Sequence, residues 1–278
     1  MTVSVPHLAY LAARGEPEHD GFPFSVPAIA TLPRMVFTTA VTFFVGENGS
    51  GKSTLLEAIA AAANLPAVGS DAVDSDMTLT SQRKLAKHLK LSWHARTSRG
   101  FFLRAEDFFG FAKRLSQMRG EFQQRLAEID EEYQDRSAYS KGLAQMPART
   151  SLAEMERRYG VDLDANSHGQ SFLKLFQSRL VPNGLHLLDE PEAPLSPQSQ
   201  LALLTMIAEM VGKNAQFIIA THSPILLAYP GAVIYSFDQT PIGAVAYSDL
   251  EHVNLTREFL NAPDRYLRHL VSKQGGDE

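Results

Sequence analysis

Three short segments carry residues whose types and spacing suit chemistry. The first is Gly46-Glu47-Asn48-Gly49-Ser50-Gly51-Lys52-Ser53-Thr54, which fits the phosphate-binding pattern G-x-x-x-x-G-K-[ST]. Glycines allow successive backbone N–H groups to converge on phosphate oxygens, and a helix beginning at the loop adds a partial positive charge. Lys52 is placed to reach the β- and γ-phosphates, Ser53 to offer a hydroxyl to magnesium, and Thr54 to meet a more proximal phosphate. The second is the apolar run Leu185-His186-Leu187-Leu188, which ends in Asp189-Glu190. Asp189 suits a magnesium ion, held directly or through water and Ser53, and Glu190 suits the polarisation and deprotonation of an attacking water. In the third, Ala220-Thr221-His222-Ser223-Pro224, a histidine follows a buried-strand pattern and is placed to touch a γ-phosphate. The chemistry implied is magnesium-dependent hydrolysis of a nucleotide.

Such residues converge only if several strands deliver them to one edge of a sheet. Val41 to Val45 is a short β-prone run, and Leu55, Leu56, Ile59 and Ala60 follow at helical spacing, so the glycines join strand to helix. Further strands are predicted before Asp189, at Phe217 to Ala220 and at Ala232 to Phe237. A helix is predicted from Pro197 to about Gly212, and a terminal helical pattern over Asn254 to Val271 is broken near Pro263. Residues 1–40 read as short strands and turns, with Phe22 or Phe24 a candidate to stack on adenine. Pro66 to Ser81 reads as an exposed loop. Phe122, Leu126, Ile129 and Tyr133 share a helical face, and Ser151 with Glu154 forms a capping-box pattern for a second helix that Gly160 would end. The organisation expected is one α/β domain over 1–278 with a helical insertion at 107–160.

With 278 residues, 44% of them hydrophobic, the chain can bury a full core. Its net charge of −5 argues against indiscriminate coating of nucleic acid. Locally the balance reverses: Arg83, Lys84, Lys87, Lys90, Arg96, Arg99, Arg104, Lys113, Arg114 and Arg119 stand against Glu106 and Asp107, which makes 83–119 a candidate DNA contact. The absence of cysteine removes disulfides and thiolate zinc sites. No apolar run of membrane-spanning length and no signal-peptide layout is present, so a cytoplasmic protein without membrane insertion is expected.

The motifs resemble the ATP-binding-cassette (ABC) class of P-loop ATPases, specifically the soluble SMC/RecF-like branch with its small bacterial AAA-family ATPases. Beside the phosphate loop, the resemblance rests on Asp189-Glu190-Pro191-Glu192, on Thr221-His222-Ser223-Pro224, and on Ser167-His168-Gly169-Gln170-Ser171, which is similar to the S-G-G-Q signature. It implies an ABC-type core with a mixed sheet and a short helical arm. It also implies an ATP-dependent homodimer in which Ser167, Gly169 and Gln170 of one protomer cap the ATP held by the other. His168 stands where the family pattern has glycine, and Ser196 ends the Ala193-Pro194-Leu195-Ser196 loop where transporters usually have aspartate. No glutamine stands out between the phosphate loop and Asp189; Arg104 or Glu106 is a candidate substitute, with a surface salt bridge the alternative. DNA maintenance, repair or defence is the process such an engine suggests, with a transporter's energy-coupling subunit or a slow ATP-gated switch acting on a protein partner as alternatives.

Overall fold

The computed structural model describes residues 5–15, 21–68, 80–159 and 168–271. In chain order the elements are β1 (Leu8–Ala13), α1 (Pro27–Ala30), β2 (Met35–Val36), β3 (Val41–Val45), α2 (Lys52–Ala63), α3 (Thr80–His88), β4 (Leu89–Trp93), β5 (Gly100–Arg104), α4 (Ala105–Glu132) and α5 (Ala138–Tyr159). There follow α6 (His168–Arg179), β6 (Leu185–Asp189), α7 (Pro197–Val211), β7 (Gln216–Ala220), α8 (Pro224–Leu227), β8 (Val233–Ser236), β9 (Gly243–Val245), α9 (Glu251–Asn261) and α10 (Pro263–Val271).

The principal sheet runs β5-β6-β7-β3-β8-β9, parallel throughout except for the antiparallel edge strand β9. Strands β3, β6 and β7 are buried along their whole length, as apolar runs covered on both faces must be. Alternation then divides their side chains. Phe44, Leu187, Ile218 and Ala220 pack with Leu55, Leu56 and Ile59 of α2, whereas Val41, Phe43, Val45, Phe217 and Ile219 pack with Phe172 and Phe176 of α6 and Leu203 and Ile207 of α7. A second, antiparallel sheet, β2-β1-β4, joins the α2 side of this core through Leu8, Leu11, Met35 and Leu89. Gln216 ties the two sheets: its Oε1 accepts from Leu8 N–H at 2.7 Å.

Helix starts follow local chemistry. Pro197 opens α7 behind Ser196, whose Oγ accepts from Ser199 N–H at 3.3 Å, and Pro224 opens α8 behind Ser223 in the same manner.

Several sequence-based expectations are corrected. Leu89-Lys90-Leu91-Ser92-Trp93, within the stretch read above only for its basic charge, alternates apolar with polar residues and is strand β4. Ile29 lies in a short helix rather than in a strand or turn. Helix α4 begins directly after β5, and α5 begins at Ala138, so Ser151 is interior and caps nothing. Packing overrides the local signal there: Ile129 and Ala148 are buried, and Gln145, itself buried, donates to Asp130 Oδ1 at 2.6 Å, which carries the helix through Pro147. Most of the Pro66–Ser81 loop and the stop at Gly160 lie outside the described residues.

Candidate functional site

The parallel order of β6, β7, β3 and β8 brings four C-terminal strand ends to one edge. Asp189, Ala220 with the turn after it, the phosphate loop and Asp238 meet there. Gly46 has φ +148°, and a Cβ on it would lie 3.0 Å from Asp238 Oδ1 and from Phe237 Cβ; Gly51, at φ +103°, is the left-handed residue before α2. Other residues at these two positions would strain or displace the loop. The N–H of Glu47 donates to Asp238 Oδ1 at 2.6 Å, which fastens the loop to the end of β8.

Lys52 is 4% exposed, and its ammonium donates to Gly46 O at 2.6 Å and Glu47 O at 2.9 Å. Burial lowers its pKa, against the pull of Glu190, Asp189 and Asp238, which favour the charged form. Ser53 Oγ donates to Asp189 Oδ1 at 3.1 Å. Burial pushes the Asp189 carboxyl up to about 7, opposed by that hydrogen bond and by Arg104. A hydroxyl and a carboxylate held together beside the buried lysine are a donor set suited to magnesium.

Glu190 departs from the strand with φ +48°, a strained region for a residue with a side chain, and its N–H donates to Ala220 O at 2.9 Å. The turn aims its half-exposed carboxylate at the cavity, 3.9 Å from His222 Nε2. His222 is itself positioned through its backbone: its N–H donates to Glu192 Oε1 at 2.8 Å, and burial raises the pKa of that carboxyl. Ser223 Oγ donates to Gln200 Oε1 at 2.5 Å, tying the turn to α7. Gly46, Glu47, Asn48, Glu190, His222 and Asp238 share a cavity of about 700 Å³ with Glu251, His252 and Leu255 of α9. Ser50 Oγ, Glu192 Oε2 and His222 Nε2 are shielded from solvent without a hydrogen-bond partner, as expected of polar groups awaiting a ligand. These residues fit a nucleotide phosphate chain.

Gly169 and Gln170 do not line this cavity. They begin α6, and a Cβ on Gly169 would lie 3.1 Å from Pro194 O, so the signature segment abuts the Ala193–Ser196 loop. Ser167 and the side chains of His168 and Glu106 lie outside the described residues. Arg104, paired with Asp189 in the β5–β6 ladder, makes a 2.6 Å ion pair with Glu57; the two side chains are 13% and 10% exposed, so this is an interior bridge and not a surface one. Phe24 packs edge-on against His88 and Phe22 is exposed; neither lines the cavity. The basic stretch is spread over α3, β4, the turn before β5, the end of β5, and α4, with Arg104 and Arg119 engaged by Glu57 and Glu156. Asp238 was missed, although Phe237-Asp238 is an apolar strand end followed by an acid, the same signal that marked Asp189. Nothing local marks Glu251, His252 or Leu255.

Fold and site together define a mixed α/β sheet with a phosphate loop between β3 and α2 and acidic groups at the neighbouring strand ends. Residues 33–134, which include the phosphate loop, match the model of a family described as an AAA domain. No curated protein matches. Among solved structures, the chain is similar to the Smc head domain of Pyrococcus furiosus, with an extended coiled coil and bound to the C-terminal domain of ScpA (12% identity, 92% of this chain and 100% of that one, TM-score 0.45). It is also similar to the SMC head domain from Thermotoga maritima (14%, 86% and 99%, 0.43) and to a nucleotide-free ATP-binding cassette from an ABC transporter (18%, 74% and 81%, 0.42). Among the described residues no helix is long and apolar enough to cross a membrane.

Proposed function

We propose that the chain hydrolyses ATP with magnesium as an ATP-sandwiched homodimer. The observation that carries this reading is the meeting of Lys52, the Ser53–Asp189 pair, Glu190 and His222 at one sheet edge beside the glycine loop. The loop N–H groups from Gly46 to Thr54 and the Lys52 ammonium bind the β- and γ-phosphates. Ser53 and Asp189 would hold magnesium, which supplies charge neutralisation for the phosphate oxygens when bound. Glu190 orients the attacking water and accepts its proton, while His222 donates a hydrogen bond to the terminal phosphate.

Ser167, Gly169 and Gln170 complete the partner's site rather than their own. Support comes from the absence of Gly169 and Gln170 from the cavity of their own protomer and from the start of a helix at His168, where free N–H groups suit a phosphate. In this reading 1–278 is one ATPase domain, and 107–160 is an inserted arm of two helices, α4 and α5, about 40 Å long at 1.5 Å per residue. The exposed Lys84, Lys87, Lys90, Arg96 and Arg99 favour coupling to DNA over a transporter, and predict binding that weakens steeply with salt.

The test is the solution mass of Glu190→Gln with and without ATP and magnesium. A monomer-to-dimer shift is expected on adding ATP. A constant mass with ATP bound rejects the sandwich and leaves the single-site switch acting on a protein partner.

A further inference from the structure

Helix α9 reaches the phosphate cavity although no nucleotide motif lies on it. Val253, 2% exposed, anchors it in the core where α9 packs against α8, and the turn before it is held by Tyr247 Oη donating to Pro224 O at 3.0 Å and Asn254 Nδ2 donating to Ser248 O at 2.6 Å. So anchored, α9 turns His252 toward His222, with ring centres 6.5 Å apart and planes at 68°. Both residues line the cavity, and both Nε2 atoms are buried without a hydrogen-bond partner, so each reaches a ligand only by turning its ring into the cavity. Two such imidazole nitrogens on one cavity wall, beside the phosphate loop, suit a ligand that brings its own acceptor oxygens.

We propose that His252 is a second binding residue for the terminal phosphate of the nucleotide, acting beside His222, so that the position of α9 is linked to whether that phosphate is present. This rests on the ATP site proposed above. Each imidazole, in its neutral Nε2–H tautomer, donates to a phosphate oxygen. The charged groups around the pair are Lys52 on α2, Glu190 and Glu192 after β6, Asp238 after β8, and Glu251 on α9 itself. Four of these five are acidic, so the two imidazoles add donors on a wall otherwise short of them.

The test is calorimetric affinity of the full chain, with magnesium, for ADP and for the non-hydrolysable imido analogue of ATP, in wild type, His252→Phe, His252→Ala and His252→Gln. Removal of the nitrogen by Phe or Ala should lower the ratio of analogue to ADP affinity by about tenfold or more, the scale of one hydrogen bond to a charged acceptor. Gln, which retains an N–H donor, should recover part of the ratio. Phe keeps an aromatic ring against His222, so an unchanged ratio in His252→Phe assigns the residue to packing and overturns the proposal. Should Ala lower the melting temperature, Phe and Gln carry the comparison. Wild-type protein that binds neither nucleotide overturns the ATP site itself, whereas wild type that prefers the analogue while His252→Phe does so equally overturns only the role of His252.

Discussion

Asp189→Asn should stabilise the nucleotide-free protein while abolishing its turnover. Burial lifts the Asp189 carboxyl from an ordinary 3.8 to about 7. Between those values the folded state binds a proton that the unfolded state has lost, so stability from this group is fully present below about pH 4 and disappears as pH rises through 7. A shift of about three units at ~1.4 kcal/mol each corresponds to about 4 kcal/mol. Asparagine keeps the oxygen that accepts from Ser53, removes the charge, and does not lose this stability. His186 imposes the opposite slope. It is fully buried against Phe101 and Phe217, with its pKa lowered to about 4, so its contribution is lost as pH falls from about 6.5 to 4. The two nearly cancel in the wild-type profile, and the difference between wild type and Asp189→Asn isolates the carboxylate. Urea unfolding at pH 5, 6, 7 and 8, in EDTA and without nucleotide, should show the variant's advantage growing from about 2 to about 4 kcal/mol. An advantage that is constant or shrinks as pH rises refutes the assignment of a desolvated carboxyl. Magnesium-dependent turnover should be lost throughout, an exchange of function for stability common at sites that hold buried charge.

Glu190→Gln should lower turnover by about 10²-fold or more while ATP remains bound, and normal hydrolysis by this variant would remove Glu190 as the base. Lys52→Ala should weaken ATP binding or abolish hydrolysis, as read by titration with labelled nucleotide; unchanged values for both would contradict the phosphate-loop assignment. Breaking the interior Arg104–Glu57 pair by Glu57→Gln should cost up to about 3–5 kcal/mol, and adding Arg104→Met should recover part of it, since a buried charge that loses a close partner carries a penalty; a loss in the double variant equal to the sum of the two single losses in a urea-based mutant cycle would show the pair is not coupled. His186→Leu should lose about 3 kcal/mol less stability than wild type between pH 6.5 and 4, and parallel curves would show that His186 is not held neutral.

The phosphate loop, Asp189-Glu190 and His222 were legible in the sequence because each is a local arrangement: a glycine spacing, or an apolar strand that ends in a polar group. Strands β3, β6, β7 and β8 were legible for the same reason, being continuous apolar runs. Leu89–Trp93 was missed as a strand because the Lys and Arg count around it obscured the alternation of Leu89, Leu91 and Trp93, which becomes strand β4 only by pairing with β1, some eighty residues earlier. The Ser151 cap failed because a capping box competes with tertiary contacts, and here the packing of Ile129, Gln145 and Ala148 prevails. By itself the sequence determined which polar groups stand at strand ends, since an apolar run fixes the strand and spacing along the chain sets them within a few residues of where it stops. Only the tertiary structure decided that Asp238 fastens the loop, that Arg104 faces Glu57 in the interior, and that His252 stands beside His222. Those neighbours come from distant elements, and their contacts depend on strand order and helix packing, which leave no local pattern along the chain.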